Sequence, residues 1–448
     1  MPPAATSEFT TFRTAFQERL NAAYPILIPR LEWTREQVLA HQRSRLRSLL
    51  RHVVATSPFH ARRLAGIDLD SVDPTDLSAI PVMTKAQMMD ELDDVFTDRE
   101  LTRAEVEAAL AATDGEPIVI RDRYMAYSTG GSSGVRGVFV LDLPALESFI
   151  GVITRGLVAR LQAMGAQPRG GLPMAMIGAR CAVHPTGSAQ SLCVGGALPF
   201  RFLTVAVTDP LPDMVSALNE MRPAALFGYP TMLARLAEEH RAGRLHVKPA
   251  FVSSTSETLT PSLRAAIGGF GAPVINTFAS TEGLVGASMP DDDVVRFAED
   301  GCIVEIEEDR VLVTNLENRV QPLIRYELND QLTEVSREGM LRARVHGRCD
   351  DLLRYGDLDV HPVVIRSELV RTPEVLDYQV RQTADGIDVA VLPARELDEE
   401  DLRVRLEDAL ETAGLDQPSV AVRVVANLDR DARTGKLARF LAVPPAAR

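Results

Sequence analysis

Residues Ser128 to Gly137 read STGGSSGVRG. Glycine tolerates positive φ and carries no Cβ, so backbone N–H groups in such a run can converge on one point. Converging N–H groups form an anion nest, and Ser and Thr hydroxyls add further donors. Arg136 adds a full charge, and phosphate is the natural guest. Taken alone, a Gly/Ser run suits a surface turn equally well. It is not a Walker loop, because GxxxxGK[ST] is absent, and it contains no GxGxxG.

The elements around the loop limit what it can belong to. The chain has 448 residues, enough for two or three domains rather than one compact core. Hydrophobic residues make up 46% and charged residues 25%, ordinary values for a soluble globular enzyme. The formal charge is −14, which argues against nucleic acid or an anionic membrane as a main partner. Four scattered cysteines with no CxxC pair argue against a local zinc knuckle and suit a reducing cytosol. The N-terminal MPPAATSEFTTFRTAF lacks the basic and apolar regions of a secretory signal. No apolar run reaches about 18 residues, so a membrane span is not expected.

Residues 1–120 read mainly helical. Leu46, Leu49, Leu50, Val53 and Val54 recur at helical spacing, and Thr84 suits an N-cap. From about Tyr124 strand-like and helical stretches alternate: GVFVLD, a long helix to about Gly165, PMAMIGA, RFLTVAV, MVSALNEMRP, AALFGYP, TMLARLAEEHRAG, PAFVSST, then TPSLRAAIGGFG and PVINTFAS. Thr260 and Pro261 form an N-cap and first helical position. Such alternation predicts an α/β class: a large N-terminal domain, 1–347, of helix-flanked, largely parallel sheets. Ligands of such sheets sit at the carboxyl ends of strands, where GYP, SSTSE and FASTEG all fall. After Gly347 the texture shifts to short strands and helices, predicting a small mobile α+β lobe over 348–448.

Read in order, YSTGGSSGVRG, FGYPTMLARLA, SSTSETLTPSLRAAI, NTFASTEG, PLIRYELNDQL, GRCDDLLRYGDLDVHP and RTGKLARF resemble the adenylate-forming (AMP-binding) superfamily. The set looks most like the phenylacetate–CoA ligase branch, and the resemblance spans roughly residues 40 to 440. It implies a cytoplasmic ligase that activates a small carboxylic acid, aromatic by resemblance, through an acyl-adenylate. The acyl group then passes to a thiol, that of coenzyme A in the first instance.

The resemblance also implies roles. Ser128, Thr129, Gly130, Gly131, Ser132, Ser133, Gly134 and Arg136 would hold the β- and γ-phosphates of ATP. Val135 stands where the family commonly has lysine. Thr281 would meet an α-phosphate oxygen and Glu282 would hold Mg²⁺, a hard cation that suits a carboxylate. Phe278, Ala279 and Ser280 would flank the nucleotide, with Ala279 in place of a usual glycine. Ser256 and Glu257 would lie on the adenine, Tyr229 near the nucleotide or acyl pocket, and His184 in the acyl pocket. Asp330 would accept both ribose hydroxyls, with Leu328–Asn329 replacing the usual Thr-Gly. Arg348 would add a ribose or phosphate contact and Asp350 would be the hinge. Lys436 would bridge the incoming carboxylate and the α-phosphate as a point charge. Arg366 stands where glutamate is common near the thiol channel. A carrier protein or an amine as acceptor, a homodimer, and a binding protein that has lost adenylation are the alternatives. A kinase or ATPase is disfavoured, since no HRD or DFG occurs.

Overall fold

A computed structural model of the chain describes residues 7–113, 116–129, 137–163, 171–178, 185–194, 198–207, 209–307, 310–348, 353–356, 358–360, 364–365, 368–369, 372, 374–393, 395–430 and 437–441, with backbone alone at 7, 129, 163, 186, 347, 348 and 359. The leading segment is helical: α1 (Ser7–Leu27), α2 (Arg35–Thr56), α3 (Pro58–Arg63), α4 (Lys85–Asp90), α5 (Leu92–Val95) and α6 (Arg103–Ala112). Thr34 opens α2 with a capping box: its hydroxyl accepts the Gln37 N–H while the Gln37 side-chain oxygen accepts the Thr34 N–H. Thr84 opens α4 in the same way. Leu46, Leu49, Leu50 and Val53 are buried against Ile303, Leu316 and Ile324. Val54, grouped with them by spacing, faces solvent instead. The buried Gln42 amide donates to the carbonyls of Glu299 and Cys302, both at 2.9 Å. The Glu299 carboxylate accepts from Arg35 (2.6 Å), Arg337 (2.9 Å) and the Leu341 N–H (2.7 Å). Burial raises the Glu299 carboxyl, and the two guanidiniums oppose that shift.

Strands β1 (Val119–Ile120), β2 (Tyr124–Thr129) and β3 (Gly137–Asp142) form a small antiparallel sheet. Helix α7 (Leu143–Ala163), strand β4 (Leu172–Gly178), helix α8 (Pro185–Leu192), strand β5 (Phe200–Ala206), helix α9 (Leu211–Met221), strand β6 (Ala225–Gly228), helix α10 (Pro230–Arg241), strand β7 (Val252–Ser254), helix α11 (Pro261–Ile267) and strand β8 (Val274–Ala279) follow. Strands β4 to β8 pair in parallel. Ala175, Ile177, Val205, Leu226, Val252 and Val274 pack on α9, α10 and α11. Met174, Phe200 and Ala225 line the opposite face with residues of α1, α7 and α8. Burial on both faces makes such strands read as continuous apolar runs. That is why this half of the sheet matches the sequence reading.

The other half is antiparallel. It adds β9 (Val285–Ser288), β10 (Val294–Phe297), β14 (Asp330–Ser336) and β15 (Arg342–Arg348), giving a nine-stranded order β14-β15-β10-β9-β8-β7-β6-β4-β5. A separate antiparallel sheet holds β11 (Cys302–Ile306), β12 (Val311–Asn315) and β13 (Tyr326–Leu328). Toward the C-terminus come the hairpin β16 (Leu353–Tyr355) and β17 (Leu358–Val360), then β18 (Val375–Gln382), β19 (Gly386–Pro393), α12 (Glu399–Thr412), β20 (Ser419–Val424) and β21 (Phe440–Leu441). Strands β20, β19, β18 and β21 form one mixed sheet, and Leu402, Leu406 and Leu410 of α12 pack against it in a core of their own.

Candidate active site

Strands β6, β7 and β8 are neighbours, with Gly228 beside Ser254 and Ser254 beside Asn276. The GYP, SSTSE and STEG turns therefore leave the sheet side by side at its carboxyl edge. Gly228 sits against β4: a Cβ there would lie 2.3 Å from the Ile177 carbonyl oxygen, so no larger residue fits. Tyr229 opens α10 and is buried in the core beneath that edge. The Thr255 N–H donates to the Gly228 carbonyl at 2.9 Å and ties the first two turns together. Ser256 adopts φ +69°, a left-handed conformation costing roughly 1–2 kcal/mol outside glycine.

The third turn is closed by Ser280. Its N–H donates to the Leu284 carbonyl at 2.9 Å, and its hydroxyl accepts the Leu284 N–H at 3.2 Å. Phe278 stacks edge-on against Phe297, Ala279 is exposed, and Ser280 and Thr281 are half-buried. Glu282 is buried, and among the described residues no side chain pairs with its carboxylate. No group of three or more His, Cys, Asp or Glu side chains gathers among the described residues. A nearly buried carboxylate with no side-chain partner among the described residues fits a hard cation such as Mg²⁺, which takes oxygen ligands.

One segment that sequence reasoning missed braces this turn and strand β3 together. Asn315 Nδ2 donates to the Glu282 carbonyl at 3.0 Å. Three residues on, Asn318 Nδ2 donates to the Val140 carbonyl of β3 at 2.9 Å. Gln321 accepts the Val140 N–H at 2.6 Å and donates to the Val138 carbonyl at 2.9 Å. Strand β3 is the strand that leaves the glycine loop, and it pairs with β2 at Ser128↔Val138 and Thr129↔Gly137. The signal was present: three amides spaced three apart between apolar runs, in NLENRVQ.

Asp330 and Arg348 face each other as register partners of β14 and β15. They lie on the two outermost strands at one edge of the nine-stranded sheet, with β9 and β10 between that pair of strands and β8. Only the twist and curl of the sheet can bring that edge back toward the β8 turn. Arg325 has a structural place: at φ +52° it donates to Glu305 (3.0 Å), Glu307 (3.1 Å) and the Ile80 carbonyl (2.9 Å).

Glu257 does not point at open space. Its carboxylate accepts from the Thr231 hydroxyl (2.7 Å), Arg430 Nη1 (3.0 Å) and the Leu437 N–H (3.0 Å), and its side chain is 1% exposed. Beyond it Arg439 pairs with Asp377 at 3.0 Å. Burial raises the Asp377 carboxyl; Arg439 opposes this and the Glu257 charge reinforces it. Gly130, Gly131, Ser132, Ser133, Gly134, Arg136, His184, Asp350, Arg366 and Lys436 lie outside the described residues, as do the side chains of Thr129 and Arg348.

No family model matches the chain. In sequence it is 25% identical over 414 residues to phenylacetate–coenzyme A ligase of Thermus thermophilus, spanning 84% of this chain and 82% of that one. Its fold superposes on 2-hydroxyisobutyryl-CoA ligase in the post-adenylation state with R3-HIB-AMP at TM-score 0.64, with 18% identity over 91% of this chain and 89% of that one. The open conformation of that ligase, with 2-HIB-AMP and CoA, gives a TM-score of 0.53, with 17% identity over 90% of each chain. The chain has the adenylate-forming fold and is phenylacetate–CoA ligase-like.

Proposed function

We propose that the protein is an ATP- and Mg²⁺-dependent acid–thiol ligase. A carboxylate oxygen of the substrate attacks the α-phosphorus of ATP, an acyl–O–P bond forms, and pyrophosphate leaves. The thiolate of coenzyme A then attacks the acyl carbonyl, a thioester forms, and AMP leaves. The observation that carries this reading is the match along most of the chain to a phenylacetate–coenzyme A ligase, joined to the buried Glu282 carboxylate in the turn after β8, which has no side-chain partner among the described residues.

In this reading Glu282 holds Mg²⁺, which when bound offsets phosphate charge. Thr281 donates to an α-phosphate oxygen, and the glycine loop after Ser128 cradles the outer phosphates. Asp330 and Arg348 take the ribose, Tyr229 shapes the pocket floor, and Lys436 bridges the two reacting anions. The lobe boundary falls at 347/348 with Asp350 as hinge, and the setting is the cytoplasm. The substrate is a small carboxylic acid, aromatic by resemblance. Arg366, in place of a usual glutamate, favours one second reading, in which an amine or a carrier-protein thiol is the acceptor.

Pyrophosphate release measured over a panel of aromatic and aliphatic acids tests the reading. Acid-dependent release, with a thioester on adding coenzyme A, supports it. Release without thioester moves the acceptor to an amine or carrier, and no acid-dependent release overturns the ligase.

A further inference from the structure

Glu257 ties the parallel sheet to the described residues on both sides of the stretch that contains Lys436. Residues 431–436 are flanked by Arg430 and Leu437, and Glu257 accepts from both at 3.0 Å. Its other oxygen is held by the Thr231 hydroxyl at the start of α10, and Arg430 also donates to that hydroxyl. The same two flanks are joined within the C-terminal sheet. Gln379 Nε2 donates to the carbonyls of Asp429 (3.0 Å) and Ala438 (2.9 Å), and the Val380 N–H donates to the Arg439 carbonyl at 2.7 Å.

Two clamps thus act on one pair of feet. Gln379 and Val380 keep the feet together within the C-terminal sheet. Glu257 fixes them against the SSTSE turn, beside the strand ends where the reacting anions would lie. Next to this contact the two parts are separated by a cavity of about 380 Å³ lined in part by Thr231, Met232, Leu263, Leu376, Asp377 and Arg430. A polar, charge-assisted contact beside open volume can be made and broken without unpacking a core.

We propose that Glu257 is a positioning residue for acyl-adenylate formation: it holds Arg430 and the Leu437 N–H, the residues on either side of 431–436, against the sheet edge. This rests on the adenylating reading. It also gives Glu257 a role different from the adenine contact implied by resemblance, because its carboxylate is occupied by protein donors.

The test is residue-resolved hydrogen exchange together with half-reaction kinetics on the full chain. Glu257→Ala speeds Leu437 amide exchange about tenfold or more, while Val380, held inside the C-terminal sheet, stays within about twofold. The same variant lowers kcat for acid-dependent pyrophosphate release about tenfold or more, with little change in the KM for ATP. It leaves thioester formation from supplied acyl-adenylate near the wild-type rate. Glu257→Gln, which keeps an acceptor of the same shape, gives a smaller effect on every readout and serves if the alanine variant fails to fold. Unchanged Leu437 exchange overturns the proposal. So does a raised KM for ATP with kcat intact, or equal loss in both half-reactions. If the wild-type protein adenylates no acid, the exchange result still decides whether the clamp exists, while the ligase reading fails separately.

Discussion

Asn315 holds the Glu282 turn from behind. Its Nδ2 lies 3.0 Å from the Glu282 carbonyl oxygen, and it would meet a Cβ on Gly283 at 2.1 Å. Gly283 has φ +106°, open to glycine and strained for other residues. The turn that presents Glu282 therefore depends on one backbone conformation and one amide. Gly283→Ala is expected to cost about 1–3 kcal/mol in the turn and to raise the Mg²⁺ concentration needed for pyrophosphate release. Asn315→Ala should do the same, leaving a nearly buried carbonyl unpartnered at about 1–3 kcal/mol. A Mg²⁺ titration of activity alongside urea unfolding checks both. Unchanged Mg²⁺ dependence in the two variants counts against the brace.

Glu282→Gln keeps the shape of the side chain and removes its charge. With no protein cation beside it among the described residues, the variant should fold with unchanged stability and lose about 10²–10³-fold in acid-dependent adenylation. The checks are the thermal midpoint and pyrophosphate release. Full activity would remove Glu282 from the metal site.

Gln321 serves two backbone groups of β3 with one fully buried amide. Gln321→Ala orphans the Val140 N–H and the Val138 carbonyl, a loss of about 2–4 kcal/mol. Because β3 leaves the glycine loop, the KM for ATP should rise in the same variant. Urea unfolding at one pH and a substrate titration measure the two effects. A stability loss with unaltered KM would confine Gln321 to packing.

His60 predicts an acid sensitivity unrelated to catalysis. Its Nε2 is 3.0 Å from the Pro322 carbonyl, and burial first, then the nearby Arg63 charge, pushes it from 6.5 down to about 3. The unfolded chain takes up a proton below pH 6.5, whereas the folded chain does so only near pH 3. Stability from this group is thus full above pH 6.5 and falls as the pH drops toward 3, by up to about 1.4 kcal/mol per pH unit. Urea midpoints at a series of pH values should show a shallower decline for His60→Gln than for the wild type. Equal slopes would contradict the assignment.

The parallel half of the sheet was legible because strands buried on both faces leave apolar runs, and because Thr260 and Pro261 mark a helix start by their own chemistry, as Thr84 does in the leading segment. The antiparallel half was not. Strands β9 and β10 have four residues each, and β12 is buried throughout, so neither length nor alternation marks them. At the site, spacing along the chain placed GYP, SSTSE and STEG on one edge because each directly follows a strand. It could not show that Glu257 turns toward Arg430 and Leu437, residues distant in sequence. The amides Asn315, Asn318 and Gln321 were visible as residues, but their partners on β3 and the Glu282 turn exist only once the sheets are assembled. Val54 shows the limit of helical spacing: it shares the apolar pattern of α2 and lies one step off the buried stripe.

The central claim is that this chain makes acyl-adenylates with Lys436 as the bridging cation. Its most direct test is mass-spectrometric detection of acyl-AMP after incubation with ATP, Mg²⁺ and candidate acids, coenzyme A being omitted. The wild-type protein should accumulate the adenylate, while folded Lys436→Ala should form it at least about 10²-fold more slowly. Equal accumulation in the two proteins, or none in either across the acid panel, would contradict the account.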